Sequence, residues 1–338
     1  MKILIFTQTV DKQDPILGFF HDWIGALSLS FESVEVICLS KGEFNLPNNV
    51  TVYSLGKERG VSKFGYVINL YKYLYLISGS YDAVFVHMNQ EYVILSGIYW
   101  KIKKIPVYFW RNHPHGNIFT YIAVFLSTKV FCTAPNSFTA RFKKTNIMPV
   151  GYNSDLLRPT LGIVRKKYSV LMLGRVSPVK NIDLGIKAIS YLIRSGVQVS
   201  LSIVGSPTQK DVGYYNGLKK MVEDLDLSTI ITFKDEVAKN KTPEIFSSHE
   251  VFLNLTDSFD KTIVESTACG AIPLVSNKTL SCFLPTICVT ENSVQSIANS
   301  IEKILDPQQQ IKIQKDLVQF AKSQSLGTLI SKLTLELK

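Results

Sequence analysis

Two carboxylates stand close together at the start of a predicted helix, between Leu253 and Asn277. The segment has the pattern of an apolar strand, a polar loop, a helix that ends at Gly270 and a second strand. Asp257 lies in the loop and Glu265 in the helix, with seven residues between them. The first amides of a helix bind anions, because they have no partner within the helix, and carboxylates accept hydrogen bonds from hydroxyl groups. This combination of groups is suited to binding a nucleotide sugar.

The same segment resembles the signature of the retaining nucleotide-sugar glycosyltransferases of family 4. In that signature two glutamates are separated by seven residues, and the second glutamate is followed by Ala-Met-Ala-Cys-Gly or a close variant. Here Glu265 is followed by Ser-Thr-Ala-Cys-Gly, and Asp257 replaces the first glutamate. Asp260 and Lys261 stand where many members of the family have an Asp-Lys pair.

The resemblance implies roles for the polar residues of this segment. Glu265 would hold the ribose of the donor, and Asp257 would contact the donor sugar. The expected donor-binding residues here are Lys261, Thr262, Ile263 and Glu265. The alternative is that Asp257, Ser258 or Asp260 only caps the helix, since these residue types are preferred N-caps.

A second charged element follows the predicted strand Ser169–Leu173. Gly174 and Arg175 come first, and Lys180 and Asn181 follow where a helix is expected to begin. The element is similar to the family's Gly-Arg and Lys-Asn pattern, in which the arginine and the lysine bind the donor diphosphate. Two cations stabilise the charge that develops on a leaving nucleoside diphosphate without any proton transfer. The alternative is that both are surface charges.

Three further loops supply candidate site residues. Gly205 ends a predicted strand, where it either lets the backbone approach the nucleotide or simply makes a tight turn. His113 follows another strand at a place where family members have a histidine that contacts the donor sugar or phosphate, and His115 is the second choice. In the first loop, Gly18 and His21 are the residues expected to face the acceptor.

Strand-like and helix-like segments alternate along the whole chain, which predicts an α/β protein with parallel sheets covered on both faces. Together with the resemblance, this predicts the GT-B fold: two Rossmann-like, doubly wound domains that face each other across a cleft. Residues 1–155 would form the acceptor-side domain and residues 156–315 the donor domain. A C-terminal helix, about residues 316–338, would pack back on the first domain.

Composition narrows the possible partners. The chain of 338 residues is 46% hydrophobic and 19% charged, as in globular proteins. Its net charge of +10 is spread over both halves, which suits an anionic small ligand or membrane surface, and no basic run predicts nucleic-acid binding. The five cysteines have no metal-ligand spacing, and Asp224-Leu225-Asp226 follows a predicted helix, so no metal or other cofactor is expected. The apolar runs are too short for a membrane span or a signal peptide, which predicts a cytoplasmic protein.

The segment Lys63–Ser78 is expected to be a helix with apolar and aromatic residues nearly all round. Its apolar character favours a helix buried in the core. The other interpretation is peripheral contact with the inner face of the membrane, because some family 4 enzymes dock to membranes through this part of the chain.

Taken together, these features predict a retaining, metal-independent hexosyltransferase that uses a nucleotide-diphosphate sugar and a glycan or lipid-linked acceptor. In the family, the acceptor attacks from the side that the diphosphate leaves, and a phosphate oxygen takes its proton. Two other classes stay open. The chain could be a catalytically silent GT-B protein that binds nucleotide sugar or acts as a scaffold, or it could be a sugar-nucleotide epimerase.

Overall fold

The computed structural model describes residues 1–14, 16–257 and 259–338. These residues form two compact units, each with its own parallel sheet. One unit contains Met1–Gly151 together with Leu326–Lys338, and the other contains Tyr152–Ser325. The sequence places the boundary after residue 155 and the returning helix from about residue 316, whereas the units change at Tyr152 and Leu326.

The first unit contains a seven-stranded sheet in which all neighbouring strands are parallel. Its strands are β1 Lys2–Val10, β2 Ser33–Lys41, β3 Val50–Ser54, β4 Ala83–His87, β5 Val107–Trp110, β6 Lys129–Cys132 and β7 Thr145–Ile147. Their order across the sheet is β3-β2-β1-β4-β5-β6-β7, so the direction of winding reverses between β1 and β4. In doubly wound sheets, ligands bind at the carboxyl ends of the strands near such a reversal. The short edge strand β7 was not predicted.

Helices cover both faces of this sheet. They are α1 Phe19–Ser28, α2 Lys63–Leu76, α3 Gln90–Ile102, α4 Ile118–Leu126 and the C-terminal helix Leu326–Leu337. Because side chains alternate along a strand, successive residues of β1 enter two different cores. Ile3 packs in one core with Leu329 of the C-terminal helix. Leu4 packs in the other with Leu70 of α2 and Trp100 of α3.

The outer surface of α2, α3 and α4 is strongly apolar. Within α2 only Leu70 and Leu74 are buried, so the interpretation of this segment as a core helix is wrong. We call the exposed large apolar side chains of the three helices the apolar face: Phe64, Ile68, Tyr71, Tyr75, Leu76, Leu95, Ile98, Ile102, Ile118, Phe119, Tyr121, Ile122 and Phe125. The helices also contact one another, since the Tyr71 hydroxyl donates to the Leu95 carbonyl at 2.8 Å.

The second unit contains a five-stranded parallel sheet. Its strands are β8 Lys166–Leu173, β9 Ser200–Val204, β10 Ile231–Lys234, β11 His249–Asn254 and β12 Ile272–Val275. They lie in the order β10-β9-β8-β11-β12, with the reversal between β8 and β11. The sequence also predicts a short strand near residues 287–289, and this strand is absent from the described chain. Thr286–Cys288 is a 3₁₀ turn instead, and only Val289 forms a bridge to β12.

Six helices of the second unit complete the described fold. They are α5 Ile182–Arg194, α6 Val212–Asp224, α7 Thr242–Ser247, α8 Lys261–Ala268, α9 Val294–Leu305 and α10 Pro307–Ser323. Helix α5 packs against α9, and α10 packs against both α8 and α9. Asp224 closes α6, so the Asp-Leu-Asp sequence lies at a helix end as predicted. In the described part of the chain, no helix has the length and apolar character needed to cross a bilayer.

Candidate active site

The two charged sequence elements meet at the carboxyl edge of the second sheet. Strands β8 and β11 are neighbours, so the loop after β8 and the loop after β11 leave the sheet side by side. The side-chain amide of Asn181 joins them by donating to the carbonyl of Leu255 at 2.7 Å. Asn181 has a left-handed backbone (φ 49°), a conformation that asparagine tolerates better than most residues. The loop carrying Arg175 and Lys180 is thereby held against the loop that leads into α8.

An ion pair unites the two elements. Lys180 Nζ lies 2.5 Å from Asp260 Oδ2, and both side chains are less than a quarter exposed. Burial acts to raise the pKa of Asp260, but the Lys180 ammonium and the hydrogen bonds from Thr262 outweigh burial and hold this pKa below its usual value. Asp260 is therefore a carboxylate, paired with the cation expected to bind the diphosphate.

Asp260 also caps helix α8. Its Oδ1 accepts from the Thr262 amide at 3.1 Å and from the Thr262 hydroxyl at 2.8 Å, and its carbonyl accepts from the Ile263 amide at 3.1 Å. Asp260 therefore caps the helix, but it does more than cap it, because it also pairs with Lys180. Ser258 lies outside the described residues. The two amides expected to contact phosphate already have protein acceptors. A phosphate can bind the Thr262 amide only by displacing the Asp260 carboxylate.

Glu265 lies one turn further along α8 in a more enclosed place. Its side chain is 15% exposed and its Oε1 lies 3.7 Å from Lys261 Nζ. Burial raises the pKa of Glu265 above the ordinary value, against the lowering effect of the Lys261 ammonium. A partly desolvated carboxylate of this kind is well placed to accept hydrogen bonds from sugar or ribose hydroxyls. Asp257, in the loop before the helix, is exposed to solvent.

Gly205 is required by packing between loops. Its φ is 145°, and a Cβ atom there would lie 2.0 Å from the carbonyl oxygen of Gly174. Backbone hydrogen bonds from Gly174 to Val204 (3.0 Å) and from Val176 to Ser206 (3.1 Å) hold the two loops together. The glycine thus allows the β9 loop to support the loop that carries the exposed Arg175, and its predicted contact with the donor remains a prediction.

In the first unit, His113 follows β5 in an exposed loop. His113 Nδ1 lies 2.9 Å from the carbonyl oxygen of His115 and 3.1 Å from its amide nitrogen. The guanidinium of Arg111 donates to the same carbonyl at 2.9 Å, and the Phe138 amide donates to the His113 carbonyl at 2.8 Å. The loop is therefore ordered by its own polar groups, and it presents two imidazoles beside an arginine.

Gly18 and His21 lie at the start of α1. A Cβ atom on Gly18 would lie 2.6 Å from the carbonyl oxygen of Asp14, so the tight loop requires glycine there. His21 is buried, and its Nε2 accepts from the Asn45 amide at 3.1 Å. Both residues thus have structural reasons for their identity, and their acceptor contacts remain predictions.

The pairing of Lys180 with Asp260 is the feature that the sequence did not reveal. Asp260 was recognisable as an N-cap from its position before the helix, but the two partners are 80 residues apart. Asn254 was not singled out either, although its side-chain amide lies 3.4 Å from Asp260 Oδ2. In residues 1–14, 16–257 and 259–338 no three His, Cys, Asp or Glu side chains form a group that could hold a metal ion.

Comparison with known proteins places this site in a family context. The D-inositol 3-phosphate glycosyltransferase of Rhodococcus opacus is 24% identical over 127 residues, which cover 36% of this chain and 28% of that protein. The alpha-monoglucosyldiacylglycerol synthase of Streptococcus pneumoniae is 26% identical over 140 residues, which cover 41% of this chain and 30% of that protein. The matches therefore span about a third or less of the length of these curated relatives.

The whole chain resembles a solved structure. Anabaena HepE in complex with UDP superposes with a TM-score of 0.77 at 18% identity, covering 100% of this chain and 99% of HepE. This similarity identifies the two-unit α/β architecture as the GT-B fold. The family model described as glycosyl transferases group 1 matches residues 153–324, just over half of the chain, including both charged elements. The protein accordingly belongs to the group 1 glycosyl transferases.

Proposed function

We propose that this protein is a retaining hexosyltransferase of family 4 type that uses a nucleotide-diphosphate sugar and acts without a metal ion. The observation that carries the proposal is the grouping of Arg175, Lys180 and the α8 carboxylates at the carboxyl edge of the second sheet. A small cavity of about 20 Å³, with room for about one water molecule, is lined by both cations. Arg175 and Lys180 thus border the same small cavity.

The reaction places its largest charge change on the diphosphate. As the bond between the anomeric carbon and the phosphate oxygen breaks, negative charge grows on the leaving group, and Arg175 and Lys180 stabilise it. Lys180 must turn from Asp260 towards the phosphate, and Glu265 accepts hydrogen bonds from the ribose. Asp257 contacts the donor sugar. The acceptor oxygen attacks from the side that the diphosphate leaves, and its proton passes to a phosphate oxygen.

The complex of HepE with UDP supports UDP as the nucleotide of the donor. The names of the curated relatives, one acting on an inositol phosphate and one a synthase of a glycolipid, support a glycan or lipid-linked acceptor. On the acceptor side, we assign Gly18 and His21 to the acceptor loop. We assign His113 to the donor sugar or phosphate, because its loop is already ordered and its ring is exposed.

A lipid-linked acceptor agrees with the apolar face of the first unit. Lys72 and Lys101 lie on the same helices, and the Lys101 ammonium lies 4.4 Å from the centre of the Phe125 ring. Lysines beside apolar side chains are the combination that binds an anionic lipid surface. We therefore propose that the protein works at the cytoplasmic side of the membrane, through this face.

Vesicle sedimentation tests the membrane contact. Ile98→Ser combined with Phe125→Ser should reduce binding to vesicles of phosphatidylglycerol and phosphatidylcholine about tenfold or more, since each exposed apolar side chain contributes roughly 1.5 kcal/mol or more when buried. Leu161→Ser, which removes an even more exposed apolar side chain from the second unit, should leave binding unchanged. Equal binding by all variants would exclude the apolar face as the contact.

Nucleotide binding tests the donor site. Thermal unfolding is followed with UDP, GDP, ADP and CDP, each with and without EDTA, and a ligand at one hundred times its Kd should stabilise the protein by about 2.7 kcal/mol. We expect UDP to be the only one of the four nucleotides that stabilises the protein, and we expect EDTA to have no effect on this stabilisation. Lys180→Ala should abolish the stabilisation, and Lys187→Ala, which removes a lysine paired with Asp183 on α5, should not. If none of the four nucleotides raised the unfolding temperature, the donor site would be refuted.

Sugar transfer is then measured with UDP-glucose and UDP-galactose. Release of UDP together with formation of a glycoside that keeps the anomeric configuration of the donor supports the proposal. Binding without transfer or donor hydrolysis would indicate a silent nucleotide-sugar-binding protein. Interconversion of the two donors without an acceptor would indicate an epimerase.

A further inference from the structure

The second unit contains a large groove that the proposed donor chemistry does not use. Its volume is about 690 Å³, in the range of small-molecule sites. One wall is helix α10. The others are the chain from Tyr152 to Pro159 and the segment from Thr267 to Ala271, which contains the end of α8 and the residues after it. Ile272, where β12 begins, also lines it. The groove therefore lies at the amino edge of the sheet, whereas Arg175 and Asp260 follow the carboxyl ends of strands.

The charged side chains of the groove are all basic. They are Arg158, Arg165 and Lys322, and no Asp or Glu occurs among the described residues that line it. Within the described chain neither arginine forms an ion pair with a carboxylate. Two arginines grouped without a neutralising carboxylate create a positive potential that attracts an anion.

Arg165 is held in place in this groove. Its Nε donates to the Ser247 carbonyl at 3.4 Å. A Cβ atom on Gly270 would lie 2.6 Å from a terminal nitrogen of the Arg165 guanidinium. The glycine at the end of α8 thus leaves the space that the guanidinium occupies, and a planar guanidinium can bind two oxygens of one phosphate.

The rest of the groove is mainly apolar. Helix α10 contributes Ile311, Leu317 and Val318, spaced so that they follow one another along a single side of the helix. Ile311 is 73% exposed and Val318 is 48% exposed, which leaves apolar surface open beside the basic groups. Leu157 and Ala271 provide apolar surface on the other walls. A ligand that contacts both the arginines and the apolar walls needs both an anionic and an apolar part.

We propose that this groove binds a small organic anion that joins a phosphate group to an apolar body. Arg158 and Arg165 contact the phosphate, and the α10 side chains Ile311 and Val318 contact the apolar body. The site is separate from the proposed donor site, since the two lie at opposite edges of the same sheet. Helix α8 connects them, because Asp260 begins it at the donor edge and Gly270 follows it at the groove.

Calorimetric titration with octyl phosphate below its micelle concentration tests the proposal, with inorganic phosphate and octyl glucoside as the two partial ligands. We expect octyl phosphate to bind at least about tenfold more tightly than either, because a charged hydrogen bond and buried apolar area each contribute 1.4 kcal/mol or more. Equal affinity for inorganic phosphate would overturn the apolar part of the site. Equal affinity for octyl glucoside would overturn the anionic part.

Variants locate the binding. Arg158→Gln combined with Arg165→Gln should weaken octyl phosphate at least about tenfold, and Val318→Glu, at an exposed position, should weaken it through repulsion. Lys101→Gln, beside the apolar face of the first unit, and Lys180→Ala, at the donor edge, should have no effect. Circular dichroism confirms folding of each variant. Unchanged binding in both groove variants would refute the site, and this outcome is independent of whether UDP binds.

Discussion

The basic side chains at the two edges of the second sheet differ in whether they are paired with carboxylates. At the carboxyl edge each proposed donor lysine faces a carboxylate: Lys180 faces Asp260, and Lys261 faces Glu265. At the amino edge Arg158 and Arg165 line a groove without any carboxylate among its described residues. A ligand at the first edge must exchange partners with the protein, whereas a ligand at the second edge meets two arginines that form no ion pair within the described chain.

The partner exchange has an energetic consequence. Removing one member of a buried ion pair costs about 3–5 kcal/mol, because the other charge is left uncompensated. The Lys180–Asp260 pair is partly buried. A diphosphate that binds Lys180 must therefore form enough new contacts to offset the loss of this ion pair. The carboxyl edge is therefore selective for ligands that offer several charged oxygens at once. The amino edge needs no such exchange and is expected to be less selective for the anionic group.

Replacing Lys180 should have the largest effect at the carboxyl edge. In Lys180→Ala we expect kcat/KM for release of UDP from UDP-glucose to fall about 10²–10³-fold, the usual cost of removing a preorganised group that stabilises developing charge. Lys187→Ala serves as the control. A change in KM alone would mean that Lys180 binds ground state and transition state equally. Unchanged binding of octyl phosphate in the same variant would show that the two edges bind their ligands independently.

Replacing Gly205 should destabilise the carboxyl edge, because the new side chain would collide with the backbone of the neighbouring loop. Gly205→Ala places a Cβ atom 2.0 Å from the Gly174 carbonyl oxygen at a φ of 145°, so we expect a loss of about 3 kcal/mol in the free energy of unfolding. The control is Gly217→Ala in α6, where a Cβ atom would meet no atom within 4 Å. That change should stabilise the protein by about 0.5–1 kcal/mol. Urea unfolding measures both, and equal effects would contradict the packing role.

Asp260→Asn tests whether the aspartate competes with the diphosphate. Asparagine retains the N-cap of α8 but not the negative charge, so Lys180 is released and repulsion of the phosphates disappears. We expect UDP to bind about three- to tenfold more tightly, a change of roughly 1 kcal/mol. Calorimetric titration gives the Kd. Weaker binding would show instead that Asp260 positions Lys180 for the ligand.

Glu265→Gln should have the smallest effect, and the size of this effect depends on pH. Because the pKa of Glu265 is raised in the folded protein, ionisation of this group favours the unfolded state as the pH rises through that range. Glutamine does not ionise, so the variant should gain stability relative to the parent above about pH 4.5, by less than about 1 kcal/mol. At lower pH the difference should vanish. Thermal unfolding from pH 4 to 8 measures this difference in stability, with the exposed Glu302→Gln as the control.

The regular parts of the fold were predictable from local patterns. The predicted strand Ser169–Leu173 lies within β8 and ends at the same residue, because a buried parallel strand leaves a clear apolar pattern. The edge strand β7 was missed, since three residues without alternation carry no such signal. The predicted strand near residue 288 was wrong because a β-branched run there forms a turn with only one bridge to its neighbour.

The sequence by itself determined the α/β class, the two charged elements and their order along the chain, because these depend on residues near one another. Only the tertiary structure decided which charges pair, since Lys180 and Asp260 are 80 residues apart and meet through the adjacency of β8 and β11. It also decided that α2 is exposed rather than buried, because exposure depends on what other helices cover. The groove at the amino edge likewise exists only where separate segments, each unremarkable in sequence, are brought together by the sheet.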